Sequence, residues 1–279
     1  MLGETEDSIH TWIDKGIALG KLEKHEEALA CFDEAIKLDP ENPKAWWNKG
    51  ITFVQQEKYE EVIACFDEVI KLHPENPTAW HNKGTSLLRL ERHEEAIPCF
   101  EEAIRLHPEY SSAWNNKASS LASLGRHEEA IPCFEEVIRL DPEDSDAWYG
   151  KGSSLASLEK YAESIACYDE AIRLDPKYSS AWNGKGIALW ELERYEEAIA
   201  CYDESIRLDP ENSDMWYNKA IVLDELERYE EAVACYDEAI KLKPEYLVAL
   251  YSKGDSLRKW GRYEEAEQCL AKARELQQC

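Results

Sequence analysis

The sequence predicts an all-α protein built from eight helix-turn-helix repeats, and three observations lead to this fold class. A tryptophan recurs every 34 residues, at Trp12, Trp46, Trp80, Trp114, Trp148, Trp182 and Trp216, and the next step of the series falls on Leu250. Lys, a small residue, Cys, an aromatic residue and Pro recur in most copies at offsets +3, +4, +19, +20 and +28 from this position. Within each period, the apolar residues follow helical spacing. A fixed period of this length indicates a repeat array and has to be recognised before any division into domains.

Each period contains two amphipathic helices, as the copy at 43–76 illustrates. Trp46, Gly50 and Phe53 mark the first helix. The apolar positions of the second helix follow the spacing i, i+1, i+4, i+7, i+8 and are Val62, Ile63, Phe66, Val69 and Ile70. Polar residues 57–58 interrupt the apolar pattern between the helices, and Pro74 ends the second one because it lacks an N–H donor and clashes with the preceding turn.

The repeats fill nearly the whole chain. After a short lead-in at 1–8, we expect a single solenoid over 9–279, with copies at about 9–42, 43–76, 77–110, 111–144, 145–178, 179–212, 213–246 and 247–279. In the eighth copy Glu267 and Arg274 replace the apolar residues of offsets +17 and +24. Terminal repeats need a polar outer side for solubility. This pattern therefore predicts a C-terminal cap and a complete array.

The 34-residue period, the Trp-x-x-x-Gly opening and the terminal Pro closely resemble the tetratricopeptide repeat (TPR) family over about residues 9–276. The resemblance implies a right-handed α-α superhelix in which the first helices line a concave groove and the second helices form the outer face. It also implies binding of peptides or proteins and no catalysis by the repeats themselves. One departure recurs in all eight copies, where Lys stands at +3 in place of the family's usual Leu. We expect its ammonium group to reach an acidic or carbonyl oxygen at the repeat boundary.

The charge pattern argues against nucleic acid as a partner. The chain has 32 basic and 58 acidic residues and a net charge of −26, whereas phosphate backbones are bound by clustered Lys and Arg. Half of the acids, 29 of 58, lie at offsets +14, +15, +21 and +22 of the second helices. There the +21 acid stands four residues before a base, as in Asp33 and Lys37, which predicts i,i+4 ion pairs. A solvated outer face accounts for this pattern, and a docking surface for a basic partner is the alternative.

Cofactor, metal and enzyme functions lack a sequence basis. Eight of the nine Cys share offset +19. The expected distance between equivalent positions on stacked helices exceeds the Cα–Cα distance of a disulfide, so we interpret these cysteines as small packing residues. Cys279 alone is expected to be free to react. His25, His93 and His127 take a slot that Tyr holds in other copies. Because no phosphate-binding loop or nucleophile motif occurs, we predict no enzyme activity, no cofactor and no metal.

The candidate binding site is the set of variable positions on the first helices. Asn at +2 resembles the family's ladder for the backbone of an extended peptide, although an Asn there can also be an ordinary exposed residue. Aromatic and aliphatic side chains at +1, +5 and +8 are expected to be free of packing and to select partner side chains; Ile13 is included among them. The predicted peptide-binding residues are Trp47, Asn48, Ile51, Asn82, Asn116, Tyr149, Trp190, Tyr217 and Asn218.

The sequence therefore predicts a protein–protein interaction scaffold or adaptor that binds an extended peptide in its concave groove. Two alternatives stay open, a self-assembling structural array and a regulatory subunit of an enzyme complex. The expected partner is a protein or peptide, and neither nucleic acid nor a membrane is expected. The acidic N-terminus, with Glu4 and Glu6, has no features of a secretory signal, so the expected location is cytoplasmic. The high net charge favours a monomer.

Overall fold

The computed structural model of the chain describes the backbone of residues 2–277 and the side chains of residues 8–277. Within this part every regular element is an α-helix, which confirms the predicted fold class. The sixteen helices found there are α1 (Leu2–Lys21), α2 (His25–Leu38), α3 (Pro43–Gln55), α4 (Tyr59–Leu72), α5 (Pro77–Arg89), α6 (His93–Leu106), α7 (Ser111–Ser123), α8 (His127–Leu140), α9 (Ser145–Ser157), α10 (Tyr161–Leu174), α11 (Ser179–Glu191), α12 (Tyr195–Leu208), α13 (Ser213–Glu225), α14 (Tyr229–Leu242), α15 (Leu247–Lys259) and α16 (Tyr263–Gln277).

The helices belong to two compact units, one ending at Leu140 and the other beginning at Asp141. Each unit contains four helix pairs, and within a unit each helix packs against the one before it and the one after it. The first helix begins at Leu2, so it includes the lead-in expected at 1–8. A single solenoid over 9–279 stays a prediction, and Cys279 lies outside the described residues.

The two helices of a pair approach closely because a small residue faces an aromatic ring. A Cβ placed on Gly16 would lie 2.6 Å from Cε1 of Phe32, and one placed on Gly84 would lie 2.7 Å from the same atom of Phe100. Both phenylalanine rings are fully buried. The recurring small residue at +4 and the aromatic residue at +20 are therefore two halves of one contact, which explains why they recur together.

The recurring tryptophan links successive copies through its indole. In six copies Nε1 donates a hydrogen bond to the carbonyl oxygen of the proline that ends the preceding copy, over 2.9 to 3.3 Å. The pairs are Trp46 with Pro40, Trp80 with Pro74, Trp114 with Pro108, Trp148 with Pro142, Trp182 with Pro176 and Trp216 with Pro210. The period of the sequence thus follows from a contact that each copy makes with its neighbour.

A tight turn with one left-handed residue joins the helices of each pair. The N–H of Lys58 bonds to the carbonyl of Phe53 and that of Glu57 to the carbonyl of Val54, which is the Schellman arrangement. Glu57 has φ 57°, and six copies place a Glu in this left-handed position. Only Gly125 and Gly261 supply a glycine there. Glycine, which adopts a positive φ without steric strain, is therefore the exception at this position of the turn.

The +3 lysines pair with acids of the preceding copy, which confirms the expectation for this slot. Nζ lies 2.5 to 2.9 Å from a +21 carboxylate oxygen in Lys49–Asp33, Lys83–Asp67, Lys117–Glu101, Lys185–Asp169, Lys219–Asp203 and Lys253–Asp237. The predicted i,i+4 pair of Asp33 with Lys37 is wrong. Lys37 instead contacts Glu34 at i,i+3, with Nζ and Oε1 2.5 Å apart, because Asp33 is taken by the next copy.

The second helix of the last copy has the predicted polar outer side. Glu267 and Arg274 are exposed, and Glu267 accepts a hydrogen bond of 2.5 Å from Arg258. The apolar residues that hold slot +17 in other copies are covered, such as Ile63 and Val233, which are buried. In the part of the chain that the structure describes, none of the helices combines the length and hydrophobicity that crossing a bilayer requires.

Candidate functional site

The predicted binding residues lie on first helices in both units. Five lie on α3, α5 and α7 of the first unit, and four lie on α9, α11 and α13 of the second. Ile51 is exposed, with 36% of its surface accessible, and the other eight are half-buried. None of them belongs to the buried core, so all nine keep some contact with solvent. Their role in binding stays a prediction.

Ile13, which was also expected to face the groove, is a core residue. Only 4% of its surface is accessible, and it packs in a cluster with Ile9, Ala35 and Ala45. In the other copies slot +1 holds an aromatic or polar side chain that is only half-buried. The aliphatic side chain of Ile13 is compact and apolar, so it packs fully into the core.

The aromatic residues at +1 are anchored by other rings, contrary to the expectation that they are free of packing. Trp47 meets Phe66 edge to face, with centroids 5.2 Å apart and an interplanar angle of 86°. Its other side borders a cleft of about 290 Å³ lined also by Lys44, Asn48 and His73. Trp47 is therefore a fixed wall of a cleft, with part of its surface available.

Tyr149 and Tyr217 lie in three-ring clusters that recur in alternate copies. The centroid of Tyr149 lies 5.0 Å from that of Tyr178 and 5.8 Å from that of Tyr168. Tyr217 has the same relation to Tyr246, at 5.2 Å, and to the +20 tyrosine of its own copy, at 5.9 Å. In the first unit the corresponding rings are His81, Phe100 and Tyr110.

The third ring of each cluster was missed by the sequence analysis. Tyr110, Tyr178 and Tyr246 stand at offset −4, where the copies between them carry Asn or Asp. All of these residues precede a helix, but only the Asn or Asp side chain caps it, as with Asn76, whose Oδ1 accepts from the N–H of Thr78 over 3.0 Å. The sequence signal for this ring is the alternation of Tyr with Asn or Asp at offset −4, which repeats every two copies. Comparing each copy with a single 34-residue consensus does not reveal it.

The asparagines at +2 are partly engaged with the protein itself. Asn48 donates from Nδ2 to the carbonyl of Lys44 over 2.7 Å. Asn218 donates to Oδ1 of Asn183, in the preceding copy, over 3.2 Å. Each amide has a second N–H and both lone pairs of its oxygen beyond this bond, so three of its four hydrogen-bonding sites are left for a peptide backbone.

The amide of Asn116 is held in a similar way, by a neutral histidine. Its Nδ2 lies 3.1 Å from Nε2 of His81. Burial lowers the pKa of His81, which leaves the imidazole neutral at pH 7 and able to accept at Nε2. Asn82 lies beside His81 on α5 and interacts with its side chain. The +2 series is therefore a set of oriented amides and not a ladder of free ones.

The thiols of slot +19 and the histidines of slot +13 lie in packed environments. No group of three or more His, Cys, Asp or Glu side chains within 8–277 has the geometry to hold a metal ion. Burial raises the pKa of Cys65, Cys201 and Cys235 to about 11, so these thiols are protonated at neutral pH. Nδ1 of His25 is buried without a hydrogen-bond partner, as in the other two histidines of its slot, which is the environment of a packing residue.

The arrangement of stacked helix pairs with repeated inter-copy contacts defines a helical repeat protein. Residues 13–77 and 77–110 match sequence models of the tetratricopeptide repeat, and residues 109–279 match the model of the Cilia and flagella-associated protein 70 C-terminal domain. The chain belongs to the tetratricopeptide repeat family. Comparison with curated protein sequences finds no match.

Solved structures share the fold at low sequence identity. The crystal structure of YrrB, a TPR protein with an unusual peptide-binding site, is 23% identical, covers 67% of this chain and 97% of its own, and has a TM-score of 0.57. MamA from Desulfovibrio magneticus RS-1 is 22% identical over 60% of this chain and 95% of its own, with a TM-score of 0.57. The APC/C hetero-tetramer Cut9–Hcn1 matches 90% of this chain and 50% of its own at 16% identity, with a TM-score of 0.63.

Proposed function

We propose that the protein is an interaction scaffold or adaptor that binds an extended peptide segment of a partner along its first helices. The observation that carries the proposal is the cleft of about 290 Å³ beside Trp47, in which an aromatic wall stands next to the amide of Asn48. An anchored ring offers a large contact area at little cost in side-chain entropy. The neighbouring amide can bond to a peptide backbone whatever its sequence.

The variation between copies supports this assignment. Slots that pack the copies together, such as those of Trp80 and Pro74, repeat along the chain because each makes the same contact. The accessible slots +1, +2 and +5 differ from copy to copy. A partner that lies along several copies would meet a different set of side chains at each, which is how such a surface gains specificity.

The structural relatives agree with the class of function. YrrB has a peptide-binding site on the same fold, and Cut9 forms part of a hetero-tetramer with Hcn1. We carry over from them only a function in protein binding. A monomeric state, a cytoplasmic location and the lack of enzyme activity belong to the same proposal.

The test is selection of peptides from a displayed random library by the full chain, followed by affinity measurements. We expect a variant with Trp47, Asn82, Asn116 and Trp190 all changed to Ala to lose at least about thirtyfold in affinity for the selected peptides, the scale of one lost anchor. A matched control changes four exposed acids of slot +14 to Gln, namely Glu94, Glu128, Glu196 and Glu230.

Each outcome identifies a surface. Unchanged affinity of the Ala variant, with a helical circular dichroism spectrum like that of the wild type, would contradict the proposal. Loss of affinity in the Gln control instead would assign binding to the acidic second helices, as for a basic partner. Light scattering across a concentration range separates the scaffold from a self-assembling array, because an array grows with concentration whereas a chain of net charge −26 repels its copies.

A further inference from the structure

A polar cavity of about 320 Å³ opens in the second unit between α9, α10 and α11. Three tyrosine rings border it, those of Tyr149, Tyr161 and Tyr168, together with Gly184 and Glu191. Its size is at the lower end of the range of ligand pockets, so it suits one long side chain better than a cofactor.

The cavity exists because glycine interrupts the asparagine series. Gly184 occupies slot +2, where Asn48, Asn82, Asn116 and Asn218 stand in other copies. A Cβ on Gly184 would lie 2.7 Å from Cζ of Tyr168 and 2.9 Å from its hydroxyl oxygen. Any side chain at this position would require the ring of Tyr168 to move, so the glycine both admits the ring and leaves the space next to it open.

The aromatic walls of the cavity are fixed and uncharged at neutral pH. Tyr149 is packed between Tyr168 and Tyr178. Burial raises the pKa of Tyr149 and raises that of Tyr168 to about 12, so both are neutral phenols. The hydroxyl of Ser153 adds an acceptor to the lining, and the amide oxygen of Asn183 adds a second lone pair beside its bond from Asn218.

The charge of the cavity is negative. Among the described residues that line it, Glu191 is the single ionised side chain and none is basic. Desolvation, followed by the negative charges of Glu191 and Glu159, raises the pKa of Tyr161. No cation of the protein forms an ion pair with Glu191 in the part of the chain that the structure describes. A carboxylate at the edge of an aromatic pocket favours a cationic guest.

We propose that this cavity receives the side chain of an arginine from the bound peptide. The inference rests on the proposed function, since the arginine is taken to be part of the segment that lies along the first helices. A guanidinium is planar and stacks on tyrosine rings, and its five N–H donors match the carboxylate, hydroxyl and amide acceptors of the lining. A lysine ammonium is more strongly hydrated and presents a point charge, so it makes poorer use of the same walls.

The experiment uses a random twelve-residue peptide library displayed for selection by the full wild-type chain. We expect the selected peptides to share an arginine at one position. Replacing that arginine by citrulline, its neutral isostere, is expected to weaken binding about tenfold, the scale of one charge-assisted hydrogen bond. Glu191→Gln is expected to weaken the arginine peptide by a similar factor and to leave the citrulline peptide unchanged.

Glu225→Gln is the matched control. Glu225 occupies the same slot one copy later and acts electrostatically on Tyr195 as Glu191 acts on Tyr161, but its copy carries Asn218 where Gly184 stands. This variant is expected to bind both peptides like the wild type. Because it removes the same negative charge as Glu191→Gln, it shows whether a loss of affinity comes from Glu191 itself or from the lower net charge.

The outcomes separate this inference from the proposed function. If the wild type selects no peptide, both fail. If it selects peptides that bind along the first helices but share no arginine, prefer lysine, or respond equally to Glu191→Gln and Glu225→Gln, the arginine pocket is excluded while the proposed function stands. An affinity of the arginine peptide that is the same for Glu191→Gln and the wild type would also overturn the inference.

Discussion

Lys83 on α5 reaches back to Asp67 on α4, with 2.5 Å between Nζ and Oδ1. The lysine side chain is 24% exposed and the aspartate side chain 50% exposed, so water screens the pair from one side. Such a pair contributes about 0.2–1 kcal/mol to stability. Its larger effect is geometric, because the same contact recurs in six copies and holds each first helix in register with the second helix before it.

A double-mutant cycle measures the coupling of this pair. For Lys83→Met and Asp67→Asn we expect a coupling free energy of about 0.5–1 kcal/mol in low salt that decreases near about 1 M salt, where the Debye length is short. The control cycle uses Lys71 and Glu68, an i,i+3 pair within one helix whose lysine is 72% exposed. Equal coupling in the two cycles, or no response to salt, would show that the inter-copy geometry adds nothing.

The left-handed turn residue provides a second prediction. Glu57→Gly is expected to raise the free energy of unfolding by about 1 kcal/mol, because φ 57° strains any residue with a Cβ. Gly125→Ala, at φ 73° in the same slot, is expected to lower it by a similar amount. Urea unfolding followed by circular dichroism checks both, and changes of the same sign in the two variants would be incompatible with this account.

Trp80→Phe tests the link between successive copies. We expect it to destabilise the protein by about 1–2 kcal/mol, because the carbonyl of Pro74 loses its hydrogen bond and the smaller ring packs less well. Trp12→Phe is the control, since Glu6 stands where the other copies have the proline, so this variant changes the ring and its contact with Lys15 but no bond to a proline carbonyl. Repeat arrays need not unfold in one step, so native-state hydrogen exchange of α4 and α5 is the appropriate measurement. An equal loss of stability in Trp80→Phe and Trp12→Phe would show that the hydrogen bond of the indole N–H to the proline carbonyl does not stabilise the protein.

The buried tyrosines predict a loss of stability in alkali. Burial raises the pKa of Tyr168 from 10.0 to about 12, so the folded state holds its phenolic proton more tightly than the unfolded state does. This contribution is complete below pH 10 and is lost as the pH rises from 10 towards 12. We expect the urea midpoint to fall across this window and to fall less steeply in Tyr168→Phe. A parallel decline in both proteins would assign the effect to other groups.

The fold could be predicted from sequence because its contacts repeat. Each bond of a tryptophan indole to a proline carbonyl appears as two fixed offsets, and the close approach of Gly84 and Phe100 appears as two more. The pairing of Lys37 could not be predicted from its own helix. The +21 acid that should have been its partner is taken by a lysine of the next copy, and helical spacing holds no information about that competition.

The partial exposure of the candidate site residues was predictable from the sequence, and their packing was less so. The slots on the first helices were correctly placed near the surface, with Ile13 as the exception. The packing of Tyr149 depends on Tyr178, which lies 29 positions later in the chain, immediately before α11. Helical spacing within α9 indicates which side of that helix Tyr149 occupies, and it holds no information about a ring that another segment packs against it.

The ring clusters also constrain how the gene could change its length. Tyr110, Tyr178 and Tyr246 are separated by twice the 34-residue period, and each stacks on an aromatic residue 29 positions earlier. A deletion of one period that begins between Tyr149 and Tyr178 would bring Asn212 to the position of Tyr178 and break the ring contact. A deletion of two periods from the same point would bring Tyr246 there and restore it. Recombination within these 29-residue spans is therefore expected to be tolerated better when it changes the length by two copies than by one.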